Sequence, residues 1–153
     1  MTNSQFIAAP GKQIVILTRD FDSSPAEVFR AYTSPALLPR WWGPAYLATT
    51  VDRMDVRPGG SWRFVQRDPD GHEYAFYGVY HEVTPPLRLV YTFEYEGAPG
   101  HVVLSTITFE DLGGKTRLTE QSVFLSTADR DAMLQDGMES GATESLERLA
   151  ALL

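Results

Sequence analysis

The chain has 153 residues, a formal net charge of −7 at pH 7 and no cysteine. That length suits one domain with a core of its own, and the lack of cysteine excludes a disulfide framework, a thiol nucleophile and a thiolate metal site. The 13 Lys and Arg are scattered and interleaved with acids, so the chain would be repelled by a phosphate backbone and nucleic acid is not an expected partner.

A single domain over 1–153 is expected, with 1–11 as a loose N-terminal segment. Residues 12–22, "KQIVILTRDFD", are β-branched and alternate, and predict the first strand. Ser23 or Ser24 then caps a helix with Pro25 in its first turn and Glu27 close behind. Val28, Phe29 and Tyr32 form its apolar stripe. Pro35 ends that helix, Pro39 limits a second short one, and the "RWWGP" of 40–44 returns the chain to the sheet.

Residues 46–125 read as six strands separated by the turn signals "RPGG", "PDGH", "TPP", "GAPG" and "LGG". Together with the first strand they predict a seven-stranded curved antiparallel sheet. From Ser126 or Thr127 the period changes to that of a helix. Asp129 is placed to complete a capping box, and Met133, Met138, Ala142, Leu146, Leu149 and Leu153 follow at helical spacing. One long C-terminal helix is expected. Gly137, Gly141 and Ser145 fall on one line of it, and each glycine costs about 1 kcal/mol relative to alanine, so close approach or free volume along that line is implied. The fold class is α+β: a sheet wrapped round the long helix, with two short helices after the first strand.

Alternation sorts the strand residues into faces. Trp62, Phe64 and Gln66 share one; Tyr74, Phe76, Gly78 and Tyr80 share the next; Leu89, Tyr91, Phe93 and Tyr95 share another. With Trp41, Trp42, Met54 and the helix methionines, these make an interior rich in rings. Such an interior suits a cavity for an amphipathic small molecule, and it equally suits a solid core of large side chains. Of the paired tryptophans, one ring is expected to lock the helices to the sheet and the other to wall the pocket mouth.

Catalytic signals are sparse. His72 reads as a solvated turn residue; His81 and His101 fall on different strands, and no metal-ligand spacing links them. Ser61, Ser105 and Ser122 lack the surroundings of a nucleophile, and the Gly-rich turns do not sit between a strand and a helix. Glu120 alternates with Leu118, Ser122 and Phe124, so it projects inward and needs a partner or a raised pKa. Arg63 and Arg117 are its sequence candidates for a counter-charge, although strand parity sends Arg117 to the opposite face. For general acid–base chemistry the candidates are Glu120, Tyr77, Tyr91 and His101.

The stretches "RDFDSSPAEVFRAYTSPALLPRWWGP", "MDVRPGGSWRFV", "DGHEYAFYGVYHEVTPPLRLVYTFE", "TRLTEQSVF" and "GMESGATESLERLAALL" together resemble the family named for the activator of heat-shock-protein-90 ATPase. That family lies in the START-like, or SRPBCC, superfamily with the helix-grip fold of the birch pollen allergen. The resemblance runs from about residue 14 to the end; Met138 departs from the tryptophan that many members carry after the helix glycine. It implies a hydrophobic cavity between sheet and long helix. The residues expected to line it are Trp41, Trp42, Met54, Trp62, Phe64, Phe76, Gly78, Tyr80, Tyr91, Phe93, Glu120, Met133, Gly137, Met138 and Gly141.

Superfamily members include lipid and hormone carriers and polyketide cyclases. The first expectation is therefore binding of a small hydrophobic or aromatic ligand, without enzymatic activity. The alternatives are a cofactor-independent cyclase, dehydratase or hydrolase, and a co-chaperone or other interaction module. No cofactor and no metal are expected, and a homodimer is. No apolar run spans a bilayer, which needs about 18 residues, and the N-terminus lacks a basic and then apolar leader. Membrane insertion is not expected, and the expected location is cytoplasmic.

Overall fold

The computed structural model of the protein describes residues 4–153, so the first three residues of the segment expected to be loose lie outside the described residues. The strands are β1 (Ser4–Ile7), β2 (Ile14–Phe21), β3 (Ala48–Met54), β4 (Ser61–Arg67), β5 (Glu73–Thr84), β6 (Arg88–Tyr95), β7 (Val103–Asp111) and β8 (Thr116–Phe124). They form one antiparallel sheet in the order β1-β2-β8-β7-β6-β5-β4-β3. The sheet therefore has eight strands among the described residues, not seven. The added strand is Ser4–Ile7, which pairs with β2 from Ser4–Arg19 to Ile7–Ile16. Only four residues long and followed by "AAPGK", it falls below the length at which alternation is readable.

Helix α1 (Pro25–Thr33) begins with a complete capping box. The Glu27 N–H donates to Ser24 Oγ at 3.3 Å, and the Ser24 N–H donates to Glu27 Oε1 at 3.4 Å. Those two bonds satisfy donors that a helix start otherwise leaves open, and Pro25 in the first turn has no N–H to satisfy. The second short helix is a single 3₁₀ turn, Leu38–Arg40. This helical stretch carries the chain from β2, near one edge of the sheet, to β3 at the far edge.

The C-terminal segment is two helices, α2 (Thr127–Gln135) and α3 (Met138–Leu152), instead of one. Gly137 breaks it. Its φ of +90° is a left-handed conformation that a side chain disfavours, so this glycine ends one helix and starts the next. Arg130 anchors α2 from below: it is buried, and its Nη1 donates to the carbonyls of Ala9 and Ile14. Met133, Leu134 and Met138 close the corner over buried Val15, Val103 and Phe124.

Alternation holds along most strands. A bulge between Tyr80 and Glu82 changes the parity of β5, so that Glu82 pairs with Val90 and Val83 packs on the core. That extra residue keeps the Glu82 carboxylate out of the interior. The main core lies between α1, α3 and the concave face of the sheet, where Val28, Ala31, Ile107, Leu118 and Leu149 are completely buried.

Candidate functional site

A cavity of about 650 Å³ lies between the concave face of the sheet and α3. Its size falls within the ~300–1,000 Å³ of small-molecule sites. Three groups of residues build it. Strands β4, β5 and β6 supply a wall of rings: Trp62 and Phe64, Phe76 and Tyr80, then Tyr91 and Phe93. Helix α1 and the "RWWGP" segment supply Tyr32, Trp41, Trp42 and Gly43. Met133, Gly137, Met138 and Gly141 form the roof.

The wall is a connected set of rings. Phe76 stacks on Phe93 with centroids 5.4 Å apart, and Trp62 meets Phe64 at 4.6 Å. Trp42 stands nearly perpendicular to Phe64 and Phe76, at 5.1 and 5.4 Å. Such edge-to-face contacts add about 0.5–1.5 kcal/mol each beyond buried area. Trp41 points the other way. Its indole N–H donates to the Ala31 carbonyl at 3.0 Å, and its ring lies 4.6 Å from Tyr32. Trp41 therefore locks α1 to the turn while Trp42 walls the cavity, and both rings reach the lining.

Helix α3 grips the turn that follows. The Gly43 N–H donates to Ser145 Oγ at 2.9 Å, and the Ala45 N–H donates to Glu144 Oε2 at 2.7 Å. Arg148 Nη1 donates to the Gly43 carbonyl at 2.6 Å, and Nη2 to the Arg40 carbonyl at 3.1 Å. Position 43 has no room for a side chain: φ is +81°, and a Cβ would stand 1.9 Å from Gln66 Nε2. The line of Gly137, Gly141 and Ser145 thus has three separate causes. The first breaks the helix, the second faces open space with nothing within 4 Å of where a Cβ would stand, and the third holds the turn.

Opposite the roof the lining becomes polar. Ser105 and Ser122 face each other across β7 and β8, and Tyr91 sits opposite Ser105 on β6. Both serines are buried and line the cavity. Glu120 lies two residues along β8 from Ser122. It is half-buried because it faces the cavity instead of the outer surface, and no hydrogen bond from a described residue reaches its carboxylate. Burial pushes its pKa up to about 7. Burial also raises the phenols of Tyr32 and Tyr91, and the Glu120 charge adds to both shifts, which places all three in one corner.

Of the residues expected to line the cavity, Met54 and Gly78 fall outside the lining. Met54 packs on the core beneath Trp62, its partner across β3 and β4. Gly78 is covered, since a Cβ there would meet the Thr92 carbonyl at 1.8 Å and Trp62 Nε1 at 2.7 Å. Of the four acid–base candidates, Glu120 and Tyr91 share the cavity. Tyr77 is on the outward face beside Glu94. His101 is exposed in the loop before β7, not on a strand, with Nδ1 3.0 Å from Asp129. The four-member acid–base set is not assembled. Arg63 and Arg117 do not reach Glu120 either: Arg63 pairs with Glu96 and Asp52, and Arg117 with Asp20. His72 is an exposed hairpin residue against Asp68. Tyr32, Gln66, Ser105 and Ser122 are among the lining residues that motif reasoning passed over. Period-two parity from Glu120 to Ser122, and across the strand to Ser105, is the signal that finds the serines.

No helix among the described residues is long and apolar enough to cross a membrane. Similarity to known proteins is broad in fold and moderate in sequence. A protein from Arthrobacter aurescens, solved by solution NMR, superposes with a TM-score of 0.90 at 25% identity, over 96% of this chain and 89% of its own. A crystal structure from Mycobacterium smegmatis gives 0.88 at 25% identity, over 97% and 95%. The AHSA1 protein from Silicibacter pomeroyi gives 0.76 at 28% identity, over 90% and 95%. No curated protein matches the chain. Residues 22–153 match the family described as "Activator of Hsp90 ATPase homolog 1-like protein", and the chain, with its helix-grip sheet and C-terminal helix, belongs to that family.

Proposed function

We propose that the protein binds a small hydrophobic or aromatic molecule in the cavity between the sheet and α3. One observation carries this reading: a cavity of about 650 Å³, walled by rings, with few polar side chains among them, of which Ser105, Glu120 and Ser122 lie together on β7 and β8. That combination buries the apolar body of a ligand and fixes its orientation through few hydrogen bonds. The family's fold, one commonly used for ligand binding, supports it.

Gly141 supplies the test, because space opens where its side chain would be. A Gly141→Leu substitution fills the cavity from the roof and replaces a poor helix former with a good one. The expected result is a chain at least as stable as the wild type that no longer gains stability from ligands. A wild-type chain at 100 Kd of an aromatic probe should gain ~2.7 kcal/mol in thermal unfolding. If no aromatic probe raises the melting temperature, or if Gly141→Leu responds as the wild type does, the reading fails.

A further inference from the structure

The charges around the cavity are one-sided. Glu120 lines it at the end formed by β7 and β8, Asp136 is an exposed member of the lining, and no Lys, Arg or His is in the lining among the described residues. The basic side chains near the cavity are engaged elsewhere. Arg19, which faces inward from β2, pairs with Glu147 of α3 at 3.4 Å, and Arg148 is spent on the carbonyls of Gly43 and Arg40. The titratable groups that feel the Glu120 charge are the phenols of Tyr32 on α1 and Tyr91 on β6, with Tyr80 of β5 beside Tyr91.

We propose that this end of the cavity is a receptor for the ammonium head of an aromatic amine, with Glu120 as its counter-ion. The inference rests on the ligand-binding reading above and specifies the ligand's chemistry. A carboxylate facing a cavity without a protein partner has acceptor sites to offer and no donor to fill them. Ser105 and Ser122, buried in the same lining, add two hydroxyl oxygens that can accept from the N–H groups of a primary ammonium. The faces of the surrounding rings are negative and attract cations, most strongly where water is excluded. The aromatic body of the ligand then lies against Trp42, Phe76 and Phe93, farther along the wall. Fatty acids and other anionic ligands are disfavoured by the same arrangement, because their carboxylate would meet Glu120 with no base to offset it.

Titration supports this geometry. With its pKa pushed up to about 7 by burial, Glu120 must lose a proton to pair with a cation at lower pH. Affinity for a permanently protonated amine should therefore rise about tenfold from pH 6 to pH 8, while a neutral analogue stays level.

The experiment compares naphthylethylamine, naphthylethanol and naphthylacetate by isothermal titration calorimetry on the full chain. At pH 8 the amine is expected to bind at least tenfold more tightly than either analogue and to weaken about tenfold at pH 6. The Glu120→Gln variant should bring the amine down to the level of the alcohol. The pH series on the wild-type chain stands even if that variant fails to fold. Equal affinity for amine and alcohol, a flat pH profile for the amine, or amine binding that survives Glu120→Gln overturns the proposal while the hydrophobic pocket stands. Binding by none of the three overturns the pocket reading and the amine proposal together.

Discussion

Two ends of one sheet are filled in different ways. Where α1 and α3 cover β2, β7 and β8, the interior is closed by Val28, Ile107, Leu118 and Leu149, none exposed by more than a trace. Where β4, β5 and β6 carry the wall, the side chains are rings, several of them half-buried, and the space between them and α3 stays open. Branched aliphatic side chains interlock and leave few voids. Large flat rings held edge to face make walls that stand without being filled. The contrast places close packing at one end and open space at the other.

The most severe way to probe this division is to remove a ring from each end. Phe109 is buried beneath Phe29 and Tyr32, and Phe109→Ala is expected to cost about 3–5 kcal/mol. Phe76 faces the cavity and is half-buried, so Phe76→Ala should cost about 1–2 kcal/mol. Urea unfolding of both variants measures the difference. Equal losses would mean that the cavity end is packed as tightly as the other.

The second probe is the charge on β8, where the close-packed end borders the cavity. The folded-state pKa of Glu120, about 7, lies above the carboxyl's ordinary 4.5, so the folded chain retains a proton that the unfolded chain releases between those values. Stability from this group is whole below about 4.5 and is lost as pH rises through 7. Glu120→Gln should therefore be more stable than the wild type at pH 8, by about 1–3 kcal/mol once contact with cavity water is allowed for, with the gap closing toward pH 4.5. Melting temperatures of the pair across that range provide the check. A constant difference would show that the carboxylate does not sit in a desolvated corner.

The smallest effect tests the seam between the ends. Removing Arg148 frees the carbonyls of Gly43 and Arg40, and Arg148→Ala should cost about 1–2 kcal/mol. The same variant should shift the tryptophan fluorescence, since Trp41 and Trp42 lie within the released segment. A change in stability without a change in emission would place Arg148 outside the walling of the cavity.

The parts of this arrangement visible in the sequence are those governed by local periodicity. The inward faces of β4, β6 and β8, the Ser24 cap and the inward turn of Glu120 all follow from alternation or helix-start chemistry. The break between α2 and α3 is hidden, because Gly137 lies in phase with an unbroken apolar stripe and only its positive φ betrays the interruption. Ser4–Ile7 is too short to announce itself, and the bulge after Tyr80 has no glycine or proline to mark it. Met54 and Gly78 share a face with lining residues, but parity cannot tell which side chain is covered by its neighbour. The grip of Ser145, Glu144 and Arg148 on the turn joins positions about a hundred residues apart, beyond the reach of any local pattern.

That same separation sets an order of events in time. The rings of the wall are complete by Tyr95, whereas the helix that roofs them and fastens the 43–45 turn begins only at Met138. During synthesis, at roughly 5–20 residues per second, the wall therefore exists for seconds with no cover. Closing it is a long-range step of the kind that slows folding most. The helix that makes one side of the pocket is thus also the last element to cover the rings of the wall.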